Sequence, residues 1–255
     1  MDDLAGFLSP ARWAGHPASI VAETASTSDD ARRAAEQGAP HGALYVADAQ
    51  TAGRGRLGRR WSSPPGANLY LSIVLRPRAS ARALTLLPLA VGLAVAEAVD
   101  ATAGEGLAVI KWPNDVRVGG RKVAGVLIEG ALRGEHFQHV VVGVGINVRG
   151  AEAPAEVSSL ATTLEAACGR TVSRRAVLEA LLRAMERHVD ALEAGRTGEV
   201  LAAVSARCET LGRALRVRDR PARAVALCED GGLRVRFDDG AEETVHGSES
   251  VSHPA

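Results

Sequence analysis

Gly53-Arg54-Gly55-Arg56-Leu57-Gly58-Arg59-Arg60-Trp61, followed further along the chain by Lys111-Trp112-Pro113-Asn114-Asp115 and Arg121-Lys122-Val123-Ala124-Gly125, decides how this sequence is read. Glycines let backbone N–H groups come close to an anion, and guanidinium groups offer fixed forks that match phosphate oxygens two at a time. Neither segment has the spacing of a Walker loop or a Rossmann fingerprint. Ala43 to Ala47 reads as a short buried strand entering the first segment, and Asn68 to Leu75 as a strand leaving it, so the loop hangs between two strands.

Working outward, Met1 to Ala18 holds Pro10, Gly15 and Pro17 and reads as a tail. Ile20 to Glu23 starts a strand, and Ser28 is expected to cap a helix with Asp29 and Asp30 in its first turn and Gly38 at its end. Leu84 to Ala101 reads as a buried helix. Ala108 to Lys111 and Val116 to Val118 are short strands around a Pro-Asn-Asp turn, and Gly119-Gly120 makes a hairpin into Lys122 to Ile128. His139 to Val148 is almost wholly apolar and reads as a central strand. An amphipathic helix capped by Ser173 runs to about Gly195, and another from Thr197 to Cys208. Beyond Leu211 the texture changes to short alternating strands with turns at Asp230-Gly231-Gly232 and Asp238-Asp239-Gly240, which predicts a small all-β barrel. The expected division is a tail over 1–18, an α/β catalytic domain over 19–209 and the barrel over 210–255.

Thirty basic and thirty acidic side chains cancel, so no global field draws the chain to nucleic acid or an anionic membrane. Aromatic residues are 3% of the 255, which argues against a surface built for stacking bases. Lysine stands only at positions 111 and 122, and every other basic residue is arginine. Much of that bias fits a nucleotide composition that favours arginine, yet both lysines fall in one candidate site, where a compact ammonium does what a guanidinium cannot. Cys168, Cys208 and Cys228 form no close pair, which reads as a reducing, cytoplasmic compartment. The first residues lack a cationic region before an apolar run, and the longest apolar stretch is broken by Pro88 and Gly92.

The Arg/Gly loop reads as a small-anion site rather than as a merely solvated basic loop or an RNA contact, because three glycines alternate with four arginines ahead of a tryptophan. Lys111 to Asp115 places an ammonium, an indole, an amide and a carboxylate in one rigid turn, with Lys122 arriving on the next hairpin. That set offers cations for transferring oxygens, a carboxylate for a metal and an amide able to read a purine edge. Gly143-Val144-Gly145-Ile146-Asn147 lacks the third glycine of a dinucleotide motif, so its glycines read as places of close approach. The seven histidines are scattered and show no zinc spacing.

Taken in order, Ser26-Thr27, Gln50, the 53–61 loop, Gly66 to Ser72, Lys111 to Asp115, Arg121 to Gly125 and Gly143 to Asn147 resemble the biotin protein ligases, also called biotin–[acetyl-CoA-carboxylase] ligases. The resemblance implies an α/β (α+β) catalytic domain related to class II aminoacyl-tRNA synthetases and lipoate ligases, followed by an SH3-like β-barrel. It implies that biotin and ATP give biotinyl-5′-AMP, which a lysine of a biotin carboxyl carrier protein then attacks. Ser26, Thr27, Ser28 and Gln50 would hold biotin's polar atoms, with Gly125, Leu127, Gly143 and Gly145 lining its pocket. Arg54, Gly55 and Arg56 would close over biotin and phosphate, Arg59 would reach pyrophosphate, and Trp61 would cover the ligand. Lys122, Arg56 and Lys111 would carry the catalytic charge, Asn114 and Asn147 would read adenine, and Asp115 would help place Mg²⁺ with ATP.

The usual Ser-Thr-Asn reads Ser26-Thr27-Ser28 here, and the adenine-stacking tryptophan of some members has no counterpart among Ser158 to Thr163. The DNA-binding domain of repressor-type members is not found, so the expected partners are the carrier protein alone, with no nucleic acid or membrane, and the protein a monomer or homodimer. Lipoate–protein ligase is the enzymatic alternative, and a non-catalytic nucleic-acid-binding module the alternative of another class.

Overall fold

The computed structural model describes residues 2–78, 84–133, 136–150, 160–247 and 251–252. Seven strands form one mixed sheet: β1 (Ala18–Thr24), β2 (Leu44–Gln50), β3 (Leu69–Leu75), β4 (Ala108–Lys111), β5 (Asp115–Val118), β6 (Arg121–Arg133) and β7 (His136–Ile146). Their order is β1-β2-β3-β7-β6-β5-β4, with β1 and β2 parallel and the other neighbours antiparallel. The apolar run of β7 thus lies at the centre, as its composition predicts.

Alternation along the central strands sends side chains to two faces. Val74 and Val141 join Ala31 and Ala35 of α1 (Thr27–Glu36) in a small cluster. Ile73, Leu75, Val140 and Val142 point the other way, into the main core with α2 (Leu87–Ala103), α4 (Arg174–Glu193) and α5 (Thr197–Arg207). Helix α2 is apolar on nearly every side and is buried accordingly. It starts at Leu87 rather than Leu84, with Pro88 in its first turn, where a missing N–H costs nothing. The short α3 (Leu164–Cys168), capped by Thr163, has too few turns to show a periodic signature.

Two expectations are corrected. Residues of the expected tail pack: Leu4, Phe7, Ala11 and Ala14 enter the main core. Glu186 on α4 accepts from the backbone N–H of Arg12 and of Trp13. Pro10, Gly15 and Pro17 break the periodicity, so these single anchors leave no pattern to read. The expected barrel is an open sheet: β8 (Ala214–Val217), β9 (Arg220–Leu227), β10 (Leu233–Phe237), β11 (Glu242–Val245) and β12 (Val251–Ser252) run in the order β11-β10-β9-β8-β12, and the two end strands do not pair among the described residues. Its strands alternate inward and outward as an SH3-like module requires, and it rests on the main sheet through Trp112, whose N–H donates to Thr210 Oγ1 and whose Nε1 donates to the Gly231 carbonyl, both at 3.0 Å. That support supplies what so small a sheet lacks alone.

The N-terminal segment is fastened by a buried ion cluster. Arg174, with 1% of its side chain exposed, reaches Asp3 and Asp48 at 2.6 Å each. A hydrogen bond from Arg174 holds the Asp3 carboxyl below its ordinary range, and Asp48 is lowered by the same guanidinium against the opposing effect of burial. Lowered carboxylate pKa values mean stability that is full above the unfolded value, about 3.9, and lost as pH falls through the native values. Asp48→Asn is expected to cost about 3 kcal/mol, at the low end for breaking a buried pair because Asp3 remains. Urea unfolding at neutral pH and below pH 3 checks it, since the gap between the two proteins should shrink in acid.

Candidate active site

The site forms where the N-terminus of α1 meets the middle of the sheet. Ser26 is the N-cap residue, in extended conformation (φ −161°, ψ 127°), but its hydroxyl caps nothing and is buried with no hydrogen-bond partner among the described residues. Ser28, the expected cap, stands inside the first turn. Thr27 donates from its backbone N–H to Gln50 Oε1 at 2.9 Å, and its hydroxyl lies 2.9 Å from that of Ser72. Ser28 Oγ lies 3.1 Å from the same Ser72 hydroxyl, and Gln50 Nε2 donates to Ser63 Oγ at 2.8 Å. Three elements thus contribute to one polar cluster on a buried wall.

Beside that cluster the sheet has no side chains. Gly125 on β6 pairs with Gly145 on β7, and Gly143 pairs with Leu127 on one side and Ser72 on the other. A Cβ at Gly145 would fall 2.4 Å from Trp61 Cε2, and one at Gly143 would fall 2.9 Å from Ser28 Oγ. The groove is therefore filled by the Trp61 indole, whose N–H is buried with no partner among the described residues. The cavity left, about 50 Å³, is lined by Thr27, Gln50, Arg54, Arg56, Lys122, Leu127 and the three glycines, with Ser28, Gly55, Leu71, Asn114, Val126 and Val144 completing the wall. Ligand pockets usually exceed about 300 Å³, so the indole occupies most of this one.

The arginine loop is held by named contacts. Arg54 makes a forked pair with Glu129 at 2.8 and 2.6 Å and also reaches Asp29 at 3.0 Å. Arg56 donates to Asn114 Oδ1 at 2.8 Å, while Asn114 Nδ2 donates to the Val126 carbonyl at 2.9 Å. Leu57 sits at φ 57°, a left-handed conformation unfavourable for a leucine, and its side chain is exposed. The loop thus holds local strain against a few ion pairs.

Lys122 reaches Asp115 Oδ1 at 2.6 Å and lies 5.2 Å from the centre of the Trp61 ring. Among the described residues three cations and no carboxylate line the cavity, so the site suits an anion. Nothing in that lining is a histidine or cysteine, so the chemistry available is charge neutralisation rather than nucleophilic attack by the protein.

Of the other expected residues, Ser26, Arg59, Lys111, Asp115 and Asn147 do not line this cavity. Arg59 is exposed. Asn147 donates to the Thr162 carbonyl at 3.3 Å, and Thr162 N–H donates to the Lys122 carbonyl, so Asn147 belongs to the floor behind Lys122. Lys111 is half-buried, and burial first, then the Arg117 charge, disfavour its ammonium. The region expected to lack an adenine-stacking tryptophan lies partly outside the described residues. Ser72, Ser63, Asp29 and Glu129 carry no site role in the sequence reading; Ser72 alone leaves a trace there, as the one serine in the apolar run of β3. No group of three or more His, Cys, Asp or Glu among the described residues is placed to hold a metal ion, and no helix described is long and apolar enough to cross a membrane.

A mixed α/β sheet that holds an anion site at a helix N-terminus beside an indole-filled glycine groove defines the class to which the comparisons point. The profile of the biotin/lipoate A/B protein ligase family matches residues 22–147. The biotin–[acetyl-CoA-carboxylase] ligase of Paracoccus denitrificans is 34% identical over 214 residues, 82% of this chain and 88% of that protein. The chain belongs to the biotin/lipoate A/B protein ligase family. A biotin protein ligase from Aquifex aeolicus, solved in complex with biotin and ATP, has 32% identity and a TM-score of 0.78, covering 92% of this chain and 97% of its own. The bifunctional ligase/repressor BirA of Bacillus spizizenii is 37% identical over 164 residues, 64% of this chain. The chain spans about half the length of that Bacillus relative, 50% of it being matched.

Because the indole and a Gly145 side chain cannot share the groove, Gly145→Ala is expected to expel Trp61 and free the loop it anchors. Trypsin should then cut at Arg54, Arg56, Arg59 or Arg60 faster than in the unsubstituted protein, as followed by mass spectrometry of the fragments.

Proposed function

We propose that this protein is an ATP-dependent biotin–protein ligase, which makes biotinyl-5′-AMP and pyrophosphate and then biotinylates a lysine of a biotin carboxyl carrier protein. The observation that carries this reading is a slot without side chains, over Gly125, Gly143 and Gly145, walled by Lys122, Arg54 and Arg56. A flat bicyclic body needs such a slot, and a carboxylate joined to a phosphate needs such cations. The Aquifex relative was solved with biotin and ATP, which supports the same pair of substrates here.

In this reading Trp61 leaves the groove as biotin enters and covers it afterwards. Ser26, Thr27, Ser28 and Gln50 meet the polar atoms of biotin, the Ser26 hydroxyl being buried and still lacking a partner among the described residues. Leu127 and the glycines contact its apolar faces. Lys122 exchanges Asp115 for the biotin carboxylate and the α-phosphate, two anions that repel until a cation stands between them. A carboxylate oxygen then bonds to the α-phosphorus as the bond to pyrophosphate breaks. Arg54, Gly55 and Arg56 close over the adenylate, Arg59 reaches the leaving pyrophosphate, and Asn114, Asn147 and Lys111 face the nucleotide.

Asp115 is a single carboxylate, without the donors of a resident metal site, but it suits a magnesium ion that arrives on ATP, since such ions keep waters and phosphate oxygens as most of their ligands. The three cysteines are free, which fits the cytoplasm.

Incubating the protein with ATP, Mg²⁺, labelled biotin and a carrier domain is expected to label the carrier. Absence of both labelled carrier and biotinyl-AMP refutes the reading, and preferential use of lipoate over biotin in competition makes it a lipoate ligase. Lys122→Arg is expected to slow adenylate formation about a hundredfold or more, as loss of a well-placed charge does, measured as pyrophosphate release. Arg56→Ala is expected to form biotinyl-AMP but release it into solution, seen as adenylate in the filtrate of an ultrafiltration assay.

A further inference from the structure

A second cavity, about 350 Å³, lies between the main sheet and the C-terminal sheet. It shares Arg56, Asn114, Val126 and Leu127 with the first cavity, so the two are divided by the 2.8 Å hydrogen bond from Arg56 to Asn114. Its walls are apolar, from Pro88, Leu89, Pro113 and Ile128. Asp230 and His246 line it too, with side chains 41% and 62% exposed, which puts them at the solvent end.

The Asp230 Oδ2 and His246 Nε2 atoms stand 3.8 Å apart. That is too far for a direct hydrogen bond, but one ammonium group between them reaches both at ordinary donor distances of about 2.9 Å. The carboxylate is firmly placed: Asp230 Oδ1 accepts from Gly232 N–H at 3.0 Å, and the same turn accepts from Trp112 Nε1, so it is tied to the segment that carries Asn114. An apolar passage with a carboxylate and an imidazole at its mouth matches the side chain of lysine, four methylenes and a cation.

We propose that this cavity is the access path of the acceptor lysine, and that Asp230 and His246 capture its ammonium and remove one proton before the amine passes Arg56. The proposal rests on the ligase reading above. A charged ammonium is repelled by the Arg56 guanidinium and has no lone pair with which to attack, so neutralisation at the mouth answers both requirements. The proton moves to His246 Nε2, and the Asp230 carboxylate pairs with the imidazolium that results. The neutral amine then forms a C–N bond to the acyl carbon of the adenylate, the bond from that carbon to the phosphate oxygen breaks with its electron pair leaving on AMP, and the nitrogen gives its second proton to solvent, as His246 then gives up the first.

The experiment separates the two half-reactions. Asp230→Asn keeps an oxygen for the Gly232 N–H while removing the charge, and His246→Gln keeps polarity while removing the base. With either variant, biotinyl-AMP formed without carrier should accumulate at the native rate, while transfer from it to a carrier domain falls about a hundredfold or more, the usual range for proton transfer catalysis. Transfer to hydroxylamine, an amine already neutral at pH 7, should stay at the native rate. Native transfer to the carrier in both variants overturns the proposal. So does an equal fall in adenylate formation, which would make the cavity a nucleotide site, and so does an equal loss with hydroxylamine, which would make the pair structural. If the unsubstituted protein forms no biotinyl-AMP, the ligase reading fails first.

Discussion

The constraint on which the site depends is that three positions in the middle of the sheet carry no side chain. Gly125 and Gly145 face each other across β6 and β7, and the indole of Trp61 lies where a Cβ of Gly145 would be and in tight contact with where one of Gly125 would be. The groove could not be cut elsewhere so economically. Central strands are rigid on both sides, so a slot made by omission keeps its shape whether or not it is filled.

That loop is poised rather than free. Arg54 is held by Glu129 and Asp29, Arg56 by Asn114, and Trp61 by the groove, yet Leu57 is strained and the indole N–H is buried without a partner among the described residues. Partly exposed ion pairs contribute little each, of the order of 1 kcal/mol or less, while an orphaned buried donor costs about 1–3 kcal/mol. A ligand that takes over the groove relieves the second and need only compete with the first. The same balance explains how Lys122, paired with Asp115, is available to an incoming anion: its present partner is replaceable.

Much of this is legible in the sequence alone. The near-continuous apolar run of β7 marks a strand covered on both faces, and the alternation beyond Leu211 marks a separate small sheet. Residues whose role is local, such as the glycines and Thr27, announce themselves by type and place. What the sequence hid is long-range pairing. Asp29 and Glu129 read as ordinary surface acids until the fold brings Arg54 between them, and Ser72 reads as a neutral member of a buried strand until Thr27 and Ser28 meet it. The N-terminal segment reads as a tail for a related reason, because Leu4, Phe7, Ala11 and Ala14 bury one at a time around prolines and glycines, with no period to detect. Short alternating strands with tight turns point to a barrel, but alternation does not determine whether end strands meet.

The scarcity of lysine takes on a different meaning once the two are located. Lys122 stands in a narrow place: a Cβ on Gly125 would fall 3.1 Å from its Nζ and equally close to the Trp61 ring. A guanidinium, wider and planar, would replace that compact charge with a fork of different reach. Lys111 does not face the cavity, and its difference from arginine is electrical rather than steric. Burial and the neighbouring Arg117 both disfavour its charge, and an ammonium can give up its proton in such a setting whereas a guanidinium cannot. In a chain that uses arginine for every other basic residue, the two lysines thus stand in different settings, Lys122 close against the indole and the glycine floor, Lys111 where its charge is disfavoured.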